Sequence, residues 1–200
     1  PIPFSQEQIS LERDEYKKQI SSIVKNNKMF FDDQLHFSTS CFYLAFHNHK
    51  DDKLILQKLA SSLSNVTGII NNSFDKTQQL EDYNIRNKIR LGVCSDYLCS
   101  HSVNNFFGNI VKDLASSGVE MIIFRGAGSK KDFESKSFEL ISSKVIDLPS
   151  SLINGCKIIL NESIDILLYL DIGMSDYSYL LSLSRLALVQ IGIGGHPNTS

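Results

Sequence analysis

The chain has 200 residues, 42% of them hydrophobic and 21% charged, with a formal net charge of −2. That length and apolar share suit one ordinary domain with its core, with or without a helical lead-in, and exclude a disordered chain. The slightly acidic balance gives no reason to expect a nucleic-acid partner, and no apolar run approaches the ~20 residues of a membrane helix.

The opening PIPFSQEQIS lacks the basic-then-apolar order of a signal peptide. Ser5 and Gln8 have capping-box spacing, and Ile9, Tyr16, Ile20, Ile23 and Val24 continue as one apolar helical stripe, the pattern of a lead-in helix packed on a domain. Ser40–Phe46 is a compact apolar, aromatic-rich run that reads as a strand and ends in His47-Asn48-His49. Asp51 and Asp52 then open a helix carrying Leu56, Leu59 and Leu63 on one face. Two histidines two residues apart on a loop lack the one-face spacing of a zinc helix, and with no third ligand in view no metal is expected. Asn71–Asn87 is polar without a sustained period and reads as a connection.

From there strands and helices alternate. Ile89, Leu91 and Val93 mark a first strand, and Asn104–Ser116 a helix with Val103, Phe106, Phe107, Ile110, Val111 and Leu114 on its apolar side. Val119–Arg125 is a second strand, closed by Gly126-Ala127-Gly128. That GxG lacks both the third glycine of a dinucleotide loop and a GK[ST] ending, so it reads as turn chemistry, with glycine supplying φ > 0. Lys144–Leu148 is a third strand, with a helix around Ser151–Leu160. Ile164–Leu170, a helix over Tyr177–Leu186 and Leu188–Gly192 make a βαβ unit opening into a Gly-Gly-His-Pro loop. The order predicts an α/β fold with a doubly wound parallel sheet, whose ligands bind at the carboxyl ends of the strands. Asp171 and Asp176 read as a strand-end turn and a helix cap rather than an acid/base pair. Cys41, Cys94, Cys99 and Cys156 form no CxxC pair, so reduced thiols and a cytoplasmic setting are expected.

The C-terminal stretch Asp171-Ile172-Gly173-Met174, Ser184-Arg185-Leu186-Ala187, Val189-Gln190, Gly195-His196-Pro197 and Thr199-Ser200 resembles the SPINDLY-like O-GlcNAc transferase family, especially its bacterial members. The resemblance extends loosely from about Phe42. Leu188 stands where that family usually has Pro, and Gly194 lies near a position often held by a bulky residue. The stretch SDYLCSHSV is similar to the family's S-x-D-F-x-x-H loop. Counted from Gly92, His101 falls on the family histidine, while Tyr97 occupies the aspartate position with Asp96 one place early. The family's YH followed by a polar loop singles out His47.

The resemblance implies the N-terminal, acceptor-side, Rossmann-like half of a two-domain GT-B glycosyltransferase. Residues 1–80 would be a helical and αβ lead-in and 81–200 the Rossmann-like domain, with the nucleotide-sugar-binding domain absent after Ser200. The implied reaction is inverting transfer of N-acetylglucosamine from UDP-GlcNAc to protein Ser/Thr, with the 200 residues alone inactive. A related donor such as GDP-fucose, or a degenerate binding or scaffold module, is the alternative. The implied partners are a nucleotide sugar, a protein acceptor and the missing domain, with no cofactor, metal, nucleic acid or membrane.

By the same resemblance His101 and His47 are catalytic residues of the cleft, and Gly195, His196 and Pro197 line the donor-sugar pocket. Histidine ionises near pH ~6.5, so it serves as a base or a charged partner at neutral pH. His101 stands at a strand-to-helix junction, where backbone N–H groups favour anions, so phosphate-facing and proton-handling roles are both open. The plain alternatives are an exposed loop histidine at 47, a backbone-bonded histidine at 101 and a ligand-free turn at 194–199.

Overall fold

The computed structural model of the chain describes residues 2–25, 42–47, 50–67, 76–86 and 88–196. Five strands, β1 (Arg90–Ser95), β2 (Glu120–Arg125), β3 (Lys144–Asp147), β4 (Ile166–Tyr169) and β5 (Val189–Gly192), form one all-parallel sheet in the order β3-β2-β1-β4-β5. The chain leaves β1 towards β2 on one side and returns as β4 on the other, so the winding reverses between β1 and β4. This is a Rossmann-like, doubly wound arrangement, as expected from the alternating order.

Seven helices are described: α1 (Gln6–Lys25), α2 (Lys53–Thr67), α3 (Lys76–Arg86), α4 (Ser102–Ser116), α5 (Phe133–Glu139), α6 (Leu152–Asn161) and α7 (Asp176–Ser182). Consecutive residues of the central strands feed two cores. Leu91, Val93, Met121, Ile123, Leu168 and Leu170 pack with Val103 and Val111 of α4 and Phe138 of α5. Their neighbours Cys94, Ile122, Phe124, Leu167 and Tyr169 pack with α6 and α7, and the same core takes in Ile20 of α1 and Leu56, Leu59 and Leu63 of α2. Covered on both sides, Leu91 to Ser95 are all buried, the pattern of a central parallel strand rather than an alternating one.

Local chemistry accounts for most element ends. The Ser5 hydroxyl caps α1 by accepting from Gln8 N–H at 3.1 Å, while the Gln8 side chain reaches back to Phe4 N–H, one residue earlier than a standard box. Arg13 of α1 pairs with Asp52 and donates to Asp51 O at 2.5 Å, pinning α1 to the start of α2.

Five expectations change. The strand expected over Ser40–Phe46 is, in its described part, a 3-10 helix, Phe42–Phe46, with Leu44 buried and Tyr43 exposed. A short apolar run does not by itself choose between strand and helix. The connection expected over Asn71–Asn87 contains α3, anchored by a long-range ion pair from Arg86 to Asp165 at 2.7 Å. α5 was not foreseen, although the Asp132/Ser135 capping box that starts it was legible. α7 stops at Ser182 instead of Leu186. Leu186 and Ala187 reach the core from a turn held by Gln190, which accepts from Leu186 N–H at 2.6 Å and donates to Ser182 O at 3.2 Å. Asp176 is the first residue of α7 rather than its cap, a role taken by Ser175.

Candidate functional site

The winding reverses between β1 and β4, and sheets of this kind take ligands outside the carboxyl ends of the strands at such a reversal. Two loops meet there, β1–α4 with Ser95, Asp96, Tyr97 and His101, and β4–α7 with Asp171, Met174 and Ser175. Asp171 is fully buried, and its Oδ2 accepts from the Asp96 N–H at 2.8 Å and the Ser95 hydroxyl at 3.3 Å. Ser175 donates to Asp96 Oδ2 at 2.6 Å. Burial, with the Asp96 charge beside it, pushes the Asp171 carboxyl up to about 7, against the pull of the Asp96 N–H. Burial also raises Asp96, opposed by the Ser175 hydroxyl.

His101 is the N-cap of α4. Its backbone is extended, and Nδ1 accepts from the Val103 N–H at 3.2 Å. A ring nitrogen that accepts carries no proton, so in the capped neutral ring the proton sits on Nε2. The ring stacks on Tyr97, centroids 4.3 Å apart. The backbone-bonded alternative for His101 is therefore observed at Nδ1, and it leaves Nε2 as a donor. The loop is tied down from α5 as well: Asp132 Oδ2 accepts from Ser100 N–H at 2.7 Å, and these amide bonds lower the Asp132 carboxyl.

Gly194 and Gly195 bring the chain after β5 over the same end of the sheet. Both have positive φ, at 73° and 74°, which glycine adopts without a Cβ penalty. A Cβ on Gly195 would collide with Ile172 O, and His196 N–H donates to that same oxygen at 2.9 Å. A Cβ on Gly194 would meet the Phe107 ring, so an α4 side chain fills the volume of a bulky residue at 194. Pro197 lies outside the described residues.

His47 is placed differently. It is 5% exposed, with Nε2 at 3.4 Å from Glu12 Oε2 of α1, and its N–H donates to Leu44 O at 3.0 Å. These contacts belong to the packing of α1 and do not join it to His101. Gly195 and His196 thus lie against the Asp171–Ile172 backbone, whereas His47 lies against Glu12 of α1.

The stretch after β2 is a turn, as expected, with the Ser129 N–H donating to Gly126 O at 3.0 Å, but positive φ is not what its glycines supply. Neither Gly126 nor Gly128 has positive φ, and the Asp96 carboxylate lies where a Cβ on Gly126 would be. Gly126 is needed for close approach. Gly126→Ala should displace Asp96 and lower stability by about 1–3 kcal/mol, the usual cost of overpacking, read by urea unfolding. An unchanged midpoint would show that Asp96 moves aside freely.

The residues missed from sequence are Asp171 as a buried acceptor and Ser175 as a cap that also reaches Asp96. Only the position of Asp171 directly after an apolar strand run hinted at this. Among the described residues no group of three or more His, Cys, Asp or Glu is placed to hold a metal, and no helix is long and apolar enough to cross a membrane. Cys94, Cys99 and Cys156 are free and buried.

No protein-family model matches the chain, and no curated protein matches it. Among solved structures it is similar to a mutant of the O-GlcNAc transferase of Thermobaculum terrenum, with a TM-score of 0.51 and 13% identity. The likeness covers 92% of this chain and 32% of that one, so the chain spans about a third of that protein's length. At this identity the likeness is one of fold.

Proposed function

We propose that this chain is the acceptor-side half of a protein O-glycosyltransferase that moves N-acetylglucosamine from UDP-GlcNAc to Ser/Thr hydroxyls with inversion. The observation that carries the reading is the presentation of His101, with Nδ1 held by α4 and Nε2–H available at the carboxyl end of β1. The fold likeness to an O-GlcNAc transferase and the C-terminal motif resemblance support it.

In the reaction the acceptor oxygen forms a bond to the anomeric carbon as the bond to the diphosphate oxygen breaks. UDP leaves with the electron pair, and the hydroxyl proton is lost. A departing diphosphate gains most from donors fixed in advance. His101 Nε2–H supplies one, beside the N-terminal amides of α4. A base role for Nε2 would require the ring to surrender its cap or change tautomer, so the geometry favours the phosphate-facing role. Gly195, His196 and Pro197 line the sugar side in this reading. A second domain grips the nucleotide, and the 200-residue chain alone is expected to show no turnover.

The test is incubation of the full-length protein with UDP-GlcNAc or GDP-fucose and a peptide library, read as peptide mass shifts. A GlcNAc gain that falls by about 100-fold or more in His101→Ala is expected, the scale on which a single oxyanion donor acts. A gain with GDP-fucose alone would change the donor. No gain from either donor, in folded protein, would refute the transferase reading in favour of a binding module.

A further inference from the structure

We propose that Asp171 is the positioning residue for His101, acting through Ser95, Asp96 and Tyr97; this rests on the reading of His101 as the working group of the cleft. Capping holds one edge of the His101 imidazole but leaves rotation about that hydrogen bond. The plane of the ring is set by the stack on Tyr97. Tyr97 is in turn held at both ends, and both holds lead to Asp171. Its backbone N–H donates to Ser95 Oγ at 2.9 Å, and that hydroxyl donates to Asp171 Oδ2 at 3.3 Å. Its phenol donates to Met174 O at 3.4 Å, and the Met174 N–H donates to Asp171 O at 3.0 Å. The side chain of Asp171 thus grips one end of Tyr97 and its main chain the other.

The Asp96 N–H bond to the same Oδ2 fixes the turn between the two. Ser175, which caps α7, donates to the Asp96 carboxylate, so the start of α7 shares the bracket. Positioning of this kind matters because a donor displaced by about 1 Å can cost ~100-fold in rate. Asp171 is fully buried and touches no substrate in this account.

The experiment uses the isotope-labelled 200-residue chain and reads the imidazole resonances of His101 by NMR. Tyr97→Leu defines the ring position without the stack. Asp171→Asn keeps a carbonyl-type acceptor and the backbone turn, and His101 should stay near its wild-type position. Asp171→Leu removes the acceptor, and the His101 Cε1 proton should move towards its Tyr97→Leu position while β2 and β3 amide signals hold. Where Asp171→Leu does not fold, Ser95→Ala breaks the same link with a smaller change and decides instead. A folded variant without the link that leaves His101 at its wild-type position overturns the proposal. In protein shown to transfer sugar, the same variants should lower kcat with KM little changed. Absence of transfer by the wild type would overturn the functional reading and leave the NMR result to judge the positioning.

Discussion

The unfolding free energy is expected to fall by about 4 kcal/mol as pH rises from 4 to 8, because Asp171 binds its proton far more tightly folded than unfolded. The folded carboxyl is pushed up to about 7 by burial and the nearby Asp96 charge. An unfolded Asp titrates near 3.9, and each pH unit of difference is worth about 1.4 kcal/mol. Between those values the native state holds the extra proton, so stability declines with rising pH. The contribution is fully present below about pH 4 and gone above about 8. Asp96, also raised by burial, adds to the same slope. Asp132 and Asp147 are lowered, so their stabilisation is lost only as pH falls below the unfolded value, outside this window. Denaturant unfolding at intervals from pH 5 to 8 measures the slope. Asp171→Asn should flatten it, and a slope unchanged by that substitution would locate the titration elsewhere.

The second large effect lies at the opposite end of the strands. Asp165 is 5% exposed and accepts from Arg86 Nη2 at 2.7 Å and from the Arg90 N–H at 2.7 Å. One carboxylate therefore ties the start of β4 to the start of β1 and to α3. Asp165→Ala leaves a half-buried guanidinium and a strand N–H without their acceptor. Breaking a buried pair from one side costs about 3–5 kcal/mol, and the Arg86 side chain, 17% exposed, places this pair near that range. Urea unfolding at pH 7 checks the loss. Arg86→Met should cost clearly less, because the Arg90 N–H keeps its acceptor; equal losses in the two variants would assign the effect to the ion pair alone.

Much of this was legible in the linear chain. The alternation from Ile89 onward specified five strands and the helices between them, α5 excepted, because parallel neighbours require crossovers and because 3.6-residue and unbroken apolar patterns differ. His101 was placed at a strand-to-helix junction by the same alternation, and Gly194-Gly195-His196 beyond a fifth strand. These are local properties, written in residue order.

Other features depended on what the chain meets after it folds. α3 has a weak apolar period and is moored by Arg86 to a residue 79 positions away. The last turn expected of α7 gave way to a turn because Gln190 satisfies its backbone from a neighbouring strand. Asp171, plausible in sequence as an ordinary strand-end turn, became a buried acceptor only because β1 runs beside β4 and brings Ser95 and the Asp96 N–H to its side chain. Gly126 stands in the expected turn, but what requires glycine there is the Asp96 carboxylate, brought against it from the end of β1. His47, singled out by the resemblance, meets Glu12 of α1, a neighbour that residue order does not reveal. Periodicity and turn chemistry are short-range, so the sequence by itself determined the elements and their order. Burial, the raised carboxyls and the bracket around Tyr97 arise where distant strands are set edge to edge, and the tertiary structure alone decided them.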